Sequence, residues 1–335
     1  MKQKYKVIII GGGPAGIGTA IKLNKSGIRP VVVIERNQSI GGIPSYYKRK
    51  KGGVRTFMRW SRGGIPVFGE DYAAWLKRRI TDTDVEIKLE SHVIEINAKQ
   101  KEVTWVSPGE GKVTASAQAV VFATGGREKT IPERKWIAGA RGSRVMFTKQ
   151  LLALSALHNV HPVNRPLIIG SDVIAYAAAA KLRTGGAQNA TIADNKTSPD
   201  TPFHERLYFR LFCKPSFRRG DTGSAEIKGN LAANGVRISD RFTDADGVII
   251  SGQLIPNSEL ALMGNLKVDI PSRIPVLDDH YQLSEQGWFA TGNVTGGFHG
   301  AEWCYYNGKR VANPVIKYIS KHKLPATTKN QADAI

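Results

Sequence analysis

Apolar residues in this chain gather in short unbroken runs, each closed by a glycine or an acid. Val7–Ile10 ends at Gly11, Val31–Ile34 ends at Glu35, and the run in RPLIIG ends at Gly170. Four successive apolar residues with no polar member suit a strand covered on both faces, as in a parallel sheet. After two of these strands the pattern changes to a helical period. Ala20 and Leu23 fall on one inner face after GGGPAG, and SDVIAYAAAAKLR reads as an Ala-rich helix after Gly170. Strand, tight turn and helix thus occur twice, which predicts an α/β chain.

Other stretches fill in the plan. EDYAAWLKRRI (70–80) predicts a helix that buries Tyr72, Trp75, Leu76 and Ile80, and Lys149–Leu157 and Ala301–Lys321 also read as helices. FHERLYFRLFCK (203–214) predicts a basic amphipathic helix with Phe203, Leu207, Leu211 and Tyr208 on one face, at a domain surface or dimer contact. Val85–Val121 alternates around a PGEG turn, as expected for a small antiparallel meander. Residues 37–69 read as a long glycine- and arginine-rich connection.

The first turn carries chemistry. Gly11, Gly13 and Gly16 form G-x-G-x-x-G. The first permits the tight turn, the second lets backbone approach a pyrophosphate, and the third lets helix pack close on strand. The helix that follows points its positive end at the phosphates. Glu35, at the end of the next strand and 24 residues after Gly11, is placed to accept from a ribose hydroxyl.

With AVVFATGGREKTIP (119–132) and GWFATGNVTG (287–296) in that order, the chain resembles the two-dinucleotide-domain FAD/NAD(P) oxidoreductases over about residues 5–320. GGREKTIP, VIISGQLIPNSELA and FATGNVTGGFHGAEW resemble the α-type flavoprotein subunits of opine oxidase and hydrogen cyanide synthase. The resemblance implies two Rossmann-like dinucleotide-binding domains, the second inserted in the first, with the meander attached. The domains expected are 1–140 with 256–325 for FAD and 141–255 for the NAD(P)-like unit, with residues 326–335 a disordered polar tail.

It also implies FAD as cofactor and carries a set of binding residues. Gly11, Gly13, Pro14, Ala15, Gly16, Glu35 and Arg36 fall on the ADP half, and Gly41 and Gly42 lie near the flavin. Val93 and Ala123-Thr124-Gly125 also border the cofactor. Gly292 and Asn293 meet the ribityl chain, with Asn293 standing where the family has Asp. The amides near Gly300 and Ala301 face the flavin C2=O. His299, on the same turn, is the candidate for a catalytic hydrogen bond or proton shuttle.

A shift of 159 residues lays the first unit on the second: Gly11 on Gly170, Lys22-Leu23 on Lys181-Leu182 and Glu35 on Asp194. In the family this second copy binds NAD(P)H. Here Gly13 is matched by Asp172 and Gly16 by Ala175. A carboxylate where a pyrophosphate should sit repels it, so the nicotinamide site is expected to have decayed or been reassigned, the alternative being a functional site with an unusual loop.

Charge changes the picture next. The formal net charge is +20, and residues 1–62 hold 14 Lys/Arg against one acid, Glu35. YYKRKKGGVRTFMRWSRGG (46–64) concentrates this excess, and Arg55, Arg59 and Arg62 are the candidates to guide an anionic substrate or dock an acidic partner or companion subunit. No recognition motif for a specific nucleic acid accompanies the charge. Helix 203–214 could touch a membrane peripherally, and an oligomer is expected. Only Cys213 and Cys304 are present and no CxxC occurs, which excludes a thioredoxin-type dithiol and predicts no metal site. The short apolar run of MKQKYKVIII passes straight into the glycine turn without a cleavage site, and a cytoplasmic protein is expected. Together these features predict an FAD-dependent oxidoreductase that moves electrons from a small, anionic substrate to an acceptor. The alternatives are an NAD(P)H-dependent flavoprotein reductase and a non-catalytic FAD-binding subunit.

Overall fold

A computed structural model describes residues 3–48, 55, 57–59, 64–134, 138–140, 142–199, 201, 203–211 and 213–322. The first unit is built on the parallel strands β1 (Gln3–Ile10), β2 (Val31–Ile34), β5 (Glu86–Lys88), β8 (Gly111–Phe122) and β20 (Trp288–Ala290), with β6 (His92–Asn97) and β7 (Glu102–Ser107) added antiparallel. The order is β5-β2-β1-β8-β7-β6, and β20 also pairs with β8. The unbroken apolar runs are explained by cover on both faces. Val7, Ile9, Val31, Val33 and Val121 pack under α1 (Pro14–Lys25), α2 (Gly69–Thr81) and α7 (Ala301–Lys321). Ile8, Ile10, Val32, Ile34 and Val120 pack against Trp105 and Trp288 on the other face.

The second unit has the parallel sheet β11-β18-β12-β13-β14, made from β11 (Val145–Phe147), β12 (Pro166–Ile169), β13 (Thr191–Asp194), β14 (Ser216–Arg219) and β18 (Gly247–Ile250). One face carries α3 (Thr148–Leu157), α4 (Val173–Thr184) and α5 (Phe203–Arg210). The other carries a sheet that no sequence pattern announces: β10 (Ala138–Gly139), β15 (Glu226–Gly229), β16 (Ala233–Ile238) and β17 (Arg241–Asp244). β10 pairs with β15, so the chain joins the second unit's sheets before residue 140. The two crossings between units lie side by side as β9 (Gly126–Glu128) and β19 (Leu254–Pro256), followed by the short α6 (Glu259–Met263).

Two expectations need correction. Residues 37–69 are not a plain connection, because β3 (Phe57–Arg59) and β4 (Ile65–Val67) form a hairpin that sets Phe57 against Tyr47 and Tyr72. The meander is only β6-β7-β8. β5 pairs parallel with β2, and the second half of β8 lies between β1 and β20 as a core strand. Helix α5 buries Phe209 and leaves Phe203 and Leu207 exposed, with Leu211 exposed just beyond it. Among the described residues no helix is long and apolar enough to cross a membrane.

Candidate functional site

The glycine turn is packed closely against the strands beside it. Gly11 has φ +114°, and a Cβ there would strike the Ala123 carbonyl. A Cβ on Gly16 would strike the Gly11 carbonyl, so the start of α1 is pressed onto the turn. Gly12 N donates to Glu35 Oε2 at 2.8 Å, and Asn37 N and Nδ2 donate to Oε1 at 2.8 and 2.6 Å. The Glu35 carboxylate is therefore buried and aimed before any ligand arrives. Ser91 N donates to Glu35 O at 2.9 Å, which brings the start of β6, with Val93, beside the acid. Arg36 is exposed next to it.

The remaining residues converge on the same turn. Gly41 N donates to Gly12 O at 2.8 Å, and Gly42 faces Gly13 and Pro14. Ala15 packs against Gly292 and beneath Gly308, where α1 and α7 cross. Ala123 N donates to Ile10 O, and Thr124 is locked by two side-chain bonds with Asn257 at 2.7 and 2.8 Å. Asn307 Oδ1 accepts from Thr291 Oγ1 and Gly292 N, each at 2.8 Å, and so fixes the late glycine stretch. The sequence motifs do not single out Gly12, Asn37, Asn257 or Asn307. Asn37 carries a signal in its spacing from Glu35, but Asn257 and Asn307 are joined to the motif only through space.

Three of these glycines have room for a side chain. A Cβ on Gly125 or Gly300 would meet nothing within 4 Å, and one on Gly13 would meet only Gly42 Cα at 4.0 Å. Helix α1 starts at Gly13 with no side-chain cap and no acid in its first turn. Its leading amides therefore lack side-chain partners, which is the arrangement that takes an anion. Helix α7 also begins without a side-chain cap, at Gly300, followed by the half-buried Ala301. Glycines with open space, an anion-seeking helix end and an oriented carboxylate fit the pyrophosphate and ribose of a dinucleotide.

Asn293 is occupied by its own loop. Its Oδ1 accepts from His299 N at 2.8 Å and its Nδ2 donates to His299 O at 3.0 Å. Cys304 Sγ donates to the same Oδ1 at 3.3 Å. His299 is exposed, with its ring stacked 3.8 Å from that of Trp303 at the mouth beside Gly300. Burial pushes the Cys304 thiol up to about 12 and the Cys213 thiol up to about 11, so neither is a ready thiolate. Both cysteines are free.

The arginines of the basic loop separate. Arg55 is exposed, over the Phe68 ring at 5.4 Å. Arg59, expected on the surface, is 8% exposed and lies over the Trp75 ring at 4.5 Å. The hairpin turns it inward, where it serves packing rather than steering. Arg62 lies outside the described residues.

A profile of the family described as pyridine nucleotide-disulphide oxidoreductase matches residues 5–208. The chain belongs to that family. Family members are FAD-dependent oxidoreductases that work with pyridine nucleotides. An opine oxidase subunit from Rhizobium meliloti is 24% identical over 93% of this chain and 62% of its own length. The NADH dehydrogenase of Bacillus subtilis (strain 168) is 25% identical over 88% of this chain and 54% of its own. The chain thus spans somewhat more than half of these relatives. Among solved structures, the thioredoxin reductase of T. acidophilum superimposes with a TM-score of 0.73 at 19% identity, covering 96% of this chain and 99% of that one.

The family's second nucleotide turn is rebuilt here with close fidelity, except at one point. Gly170 has φ +106°, and Gly170 N donates to Ala193 O at 2.9 Å, as Gly11 N does to Ile34 O. Ser171 Oγ donates to Asp194 at 2.6 Å where Gly12 N served Glu35, and Lys196 N repeats Asn37 N. The difference is Asp172, which caps α4. Its Oδ1 accepts from Ala175 N at 2.8 Å and from Ser251 Oγ at 2.9 Å. The Arg134 guanidinium sits alongside, donating to the carbonyls of Ser251 at 3.2 Å and Gly252 at 2.7 Å. The anion that α4 seeks is supplied by the chain itself.

Glu128, at the crossing, is placed between the two turns. Burial raises its carboxyl above the usual range, against the lowering effect of Lys149 N, which donates to Oε2 at 3.2 Å. A raised acid favours the folded state below its unfolded pKa, near pH 4, and that contribution is lost as pH rises through the folded pKa. Glu128→Gln is therefore expected to match the parent in thermal melts near pH 4 and to melt higher near pH 8. Equal melting shifts at both pH values would show that ionisation of Glu128 is not the cause.

Proposed function

We propose that the cleft between α1, residues 123–125 and the start of α7 holds FAD without a covalent bond. In this reading the chain is an FAD-dependent oxidoreductase that takes electrons from a small, anionic substrate. The observation that carries it is the contrast between two equivalent helix ends: α1 is uncapped and faces open space, whereas α4 is capped by Asp172. The amides of Gly13 and Ala15 would hold the pyrophosphate and Glu35 the adenosine ribose. Arg36 and Val93 would flank the adenosine, and Gly41 and Gly42 would border the flavin. Asn293 would reach the ribityl chain by exchanging its bonds to His299, and the amides at Gly300 and Ala301 would face the pyrimidine edge.

When bound, FAD supplies reversible two-electron transfer. The chain's own groups orient it and set its surroundings. The positive end of α7 favours negative charge on whatever it faces. His299, exposed at that mouth, would give or take a proton from solvent. Arg55 is the described cation left to attract an anionic substrate. A second reading, one chain of a larger dehydrogenase, is favoured by the opine oxidase relative, which is one subunit of its enzyme.

The purified protein should be yellow and should release FAD on acid precipitation. Glu35→Ala loses charge-assisted hydrogen bonds of about 1.5–3 kcal/mol each, and should weaken FAD binding by tenfold or more. A protein that ignores added FAD, or a Glu35→Ala variant with the parent's affinity, would overturn the assignment.

A further inference from the structure

Among the described residues nothing covers the outer side of α5. Phe203, Leu207 and Leu211 are 71%, 54% and 77% exposed; the first two are one helical turn apart on α5 and the third lies in the turn that follows it. The same helix turns Phe209 inward, 3% exposed and 6.3 Å from the Tyr176 ring. Arg206 and Arg210 are likewise one turn apart on α5, the exposed Lys214 follows beyond it, and Glu205 is the one acid within residues 203–214. Arg206 lies over the Phe203 ring at 5.8 Å. Tyr208 Oη donates to Arg55 O at 2.6 Å, so the exposed Arg55 is tied to this helix as well. An apolar ridge and a cationic flank therefore share one surface.

We propose that this face of α5 rests on an anionic lipid surface, with Phe203, Leu207 and Leu211 sunk past the headgroups and the cations on their phosphates. The layout is that of an interfacial helix. Cations meet anionic headgroups while apolar side chains leave water for the acyl boundary. A second copy of the chain fits less well, because a two-fold contact would bring the cationic flank toward its own image. An acidic protein would satisfy the cations without using the ridge. No described helix is long and apolar enough to cross a bilayer, so the contact is peripheral.

The test is sedimentation of the full chain with phosphatidylcholine vesicles, with and without phosphatidylglycerol. Pelleting is expected only with phosphatidylglycerol, and high salt should weaken it. Leu207→Ser and Phe203→Ser each remove a large apolar side chain from the contact and should lower partitioning about tenfold. Arg210→Gln with Lys214→Gln should lower it several-fold. These side chains are on the surface, and an unchanged melting temperature would show that the variants are folded. A parent that stays in the supernatant would overturn the proposal. So would ridge variants that pellet like the parent, equal binding to both vesicle types, or binding to poly-L-glutamate in place of vesicles.

Discussion

Gly13→Ala is expected to fold normally and to lose its flavin. The position is open in the protein alone, since a Cβ there meets only Gly42 Cα at 4.0 Å. Nothing in the chain need move, and the backbone φ of −77° suits alanine. The melting temperature should therefore stay near that of the parent. The methyl group would instead occupy the space through which the pyrophosphate reaches the first turn of α1. Displacing a charged ligand from its hydrogen bonds by even part of an ångström forfeits bonds of about 1.5–3 kcal/mol each, or tenfold and more in Kd. Gly11→Ala is the contrast. At φ +114° a side chain is strained, and its Cβ would strike the Ala123 carbonyl, so stability as well as flavin should fall. Flavin absorbance per protein after gel filtration, read with thermal melts, separates the two. A yellow Gly13→Ala protein with the parent's affinity would mean that the cleft does not hold FAD in this way.

NADH should reduce the parent's flavin slowly, and Asp172→Asn should raise kcat/KM for NADH by tenfold or more. The carboxylate occupies the end of α4 that a second pyrophosphate would use, and adds like-charge repulsion to the lost space. Asparagine caps a helix about as well as aspartate, so this change removes charge while keeping the Ala175 bond. A tenfold gain corresponds to about 1.4 kcal/mol in the transition state. Asp172→Gly opens more space and gives up the Ala175 and Ser251 bonds, at a cost of a few tenths of a kcal/mol or more. If stopped-flow spectra show rapid reduction of the parent by micromolar NADH, Asp172 does not block the turn. If neither variant gains, Arg134 and the packing around it close the site independently.

What the sequence determined was local or repeated. Short apolar runs specify strands buried on both faces, because a polar residue on either face would lose water without a partner. The glycine spacing specifies a turn, because only glycine accepts φ +114° and the close passage at Gly16. The 159-residue shift exposes the duplication, since each acid lies at the same distance from its turn. What the sequence could not determine depended on which surfaces meet. The inward turn of Arg59 follows from the β3-β4 hairpin and the Trp75 ring beneath it. The exposed ridge of α5 follows from which side of the helix met Tyr176, and helical periodicity marks an apolar stripe without saying whether anything covers it. The cap formed by Asp172 is the sharpest case. From the sequence it is a charge in a phosphate turn. In the folded chain it is a satisfied acceptor: Ala175 N bonds it from within its own turn, while Ser251 Oγ and the Arg134 charge beside it come from segments far apart in the chain that only folding brings together.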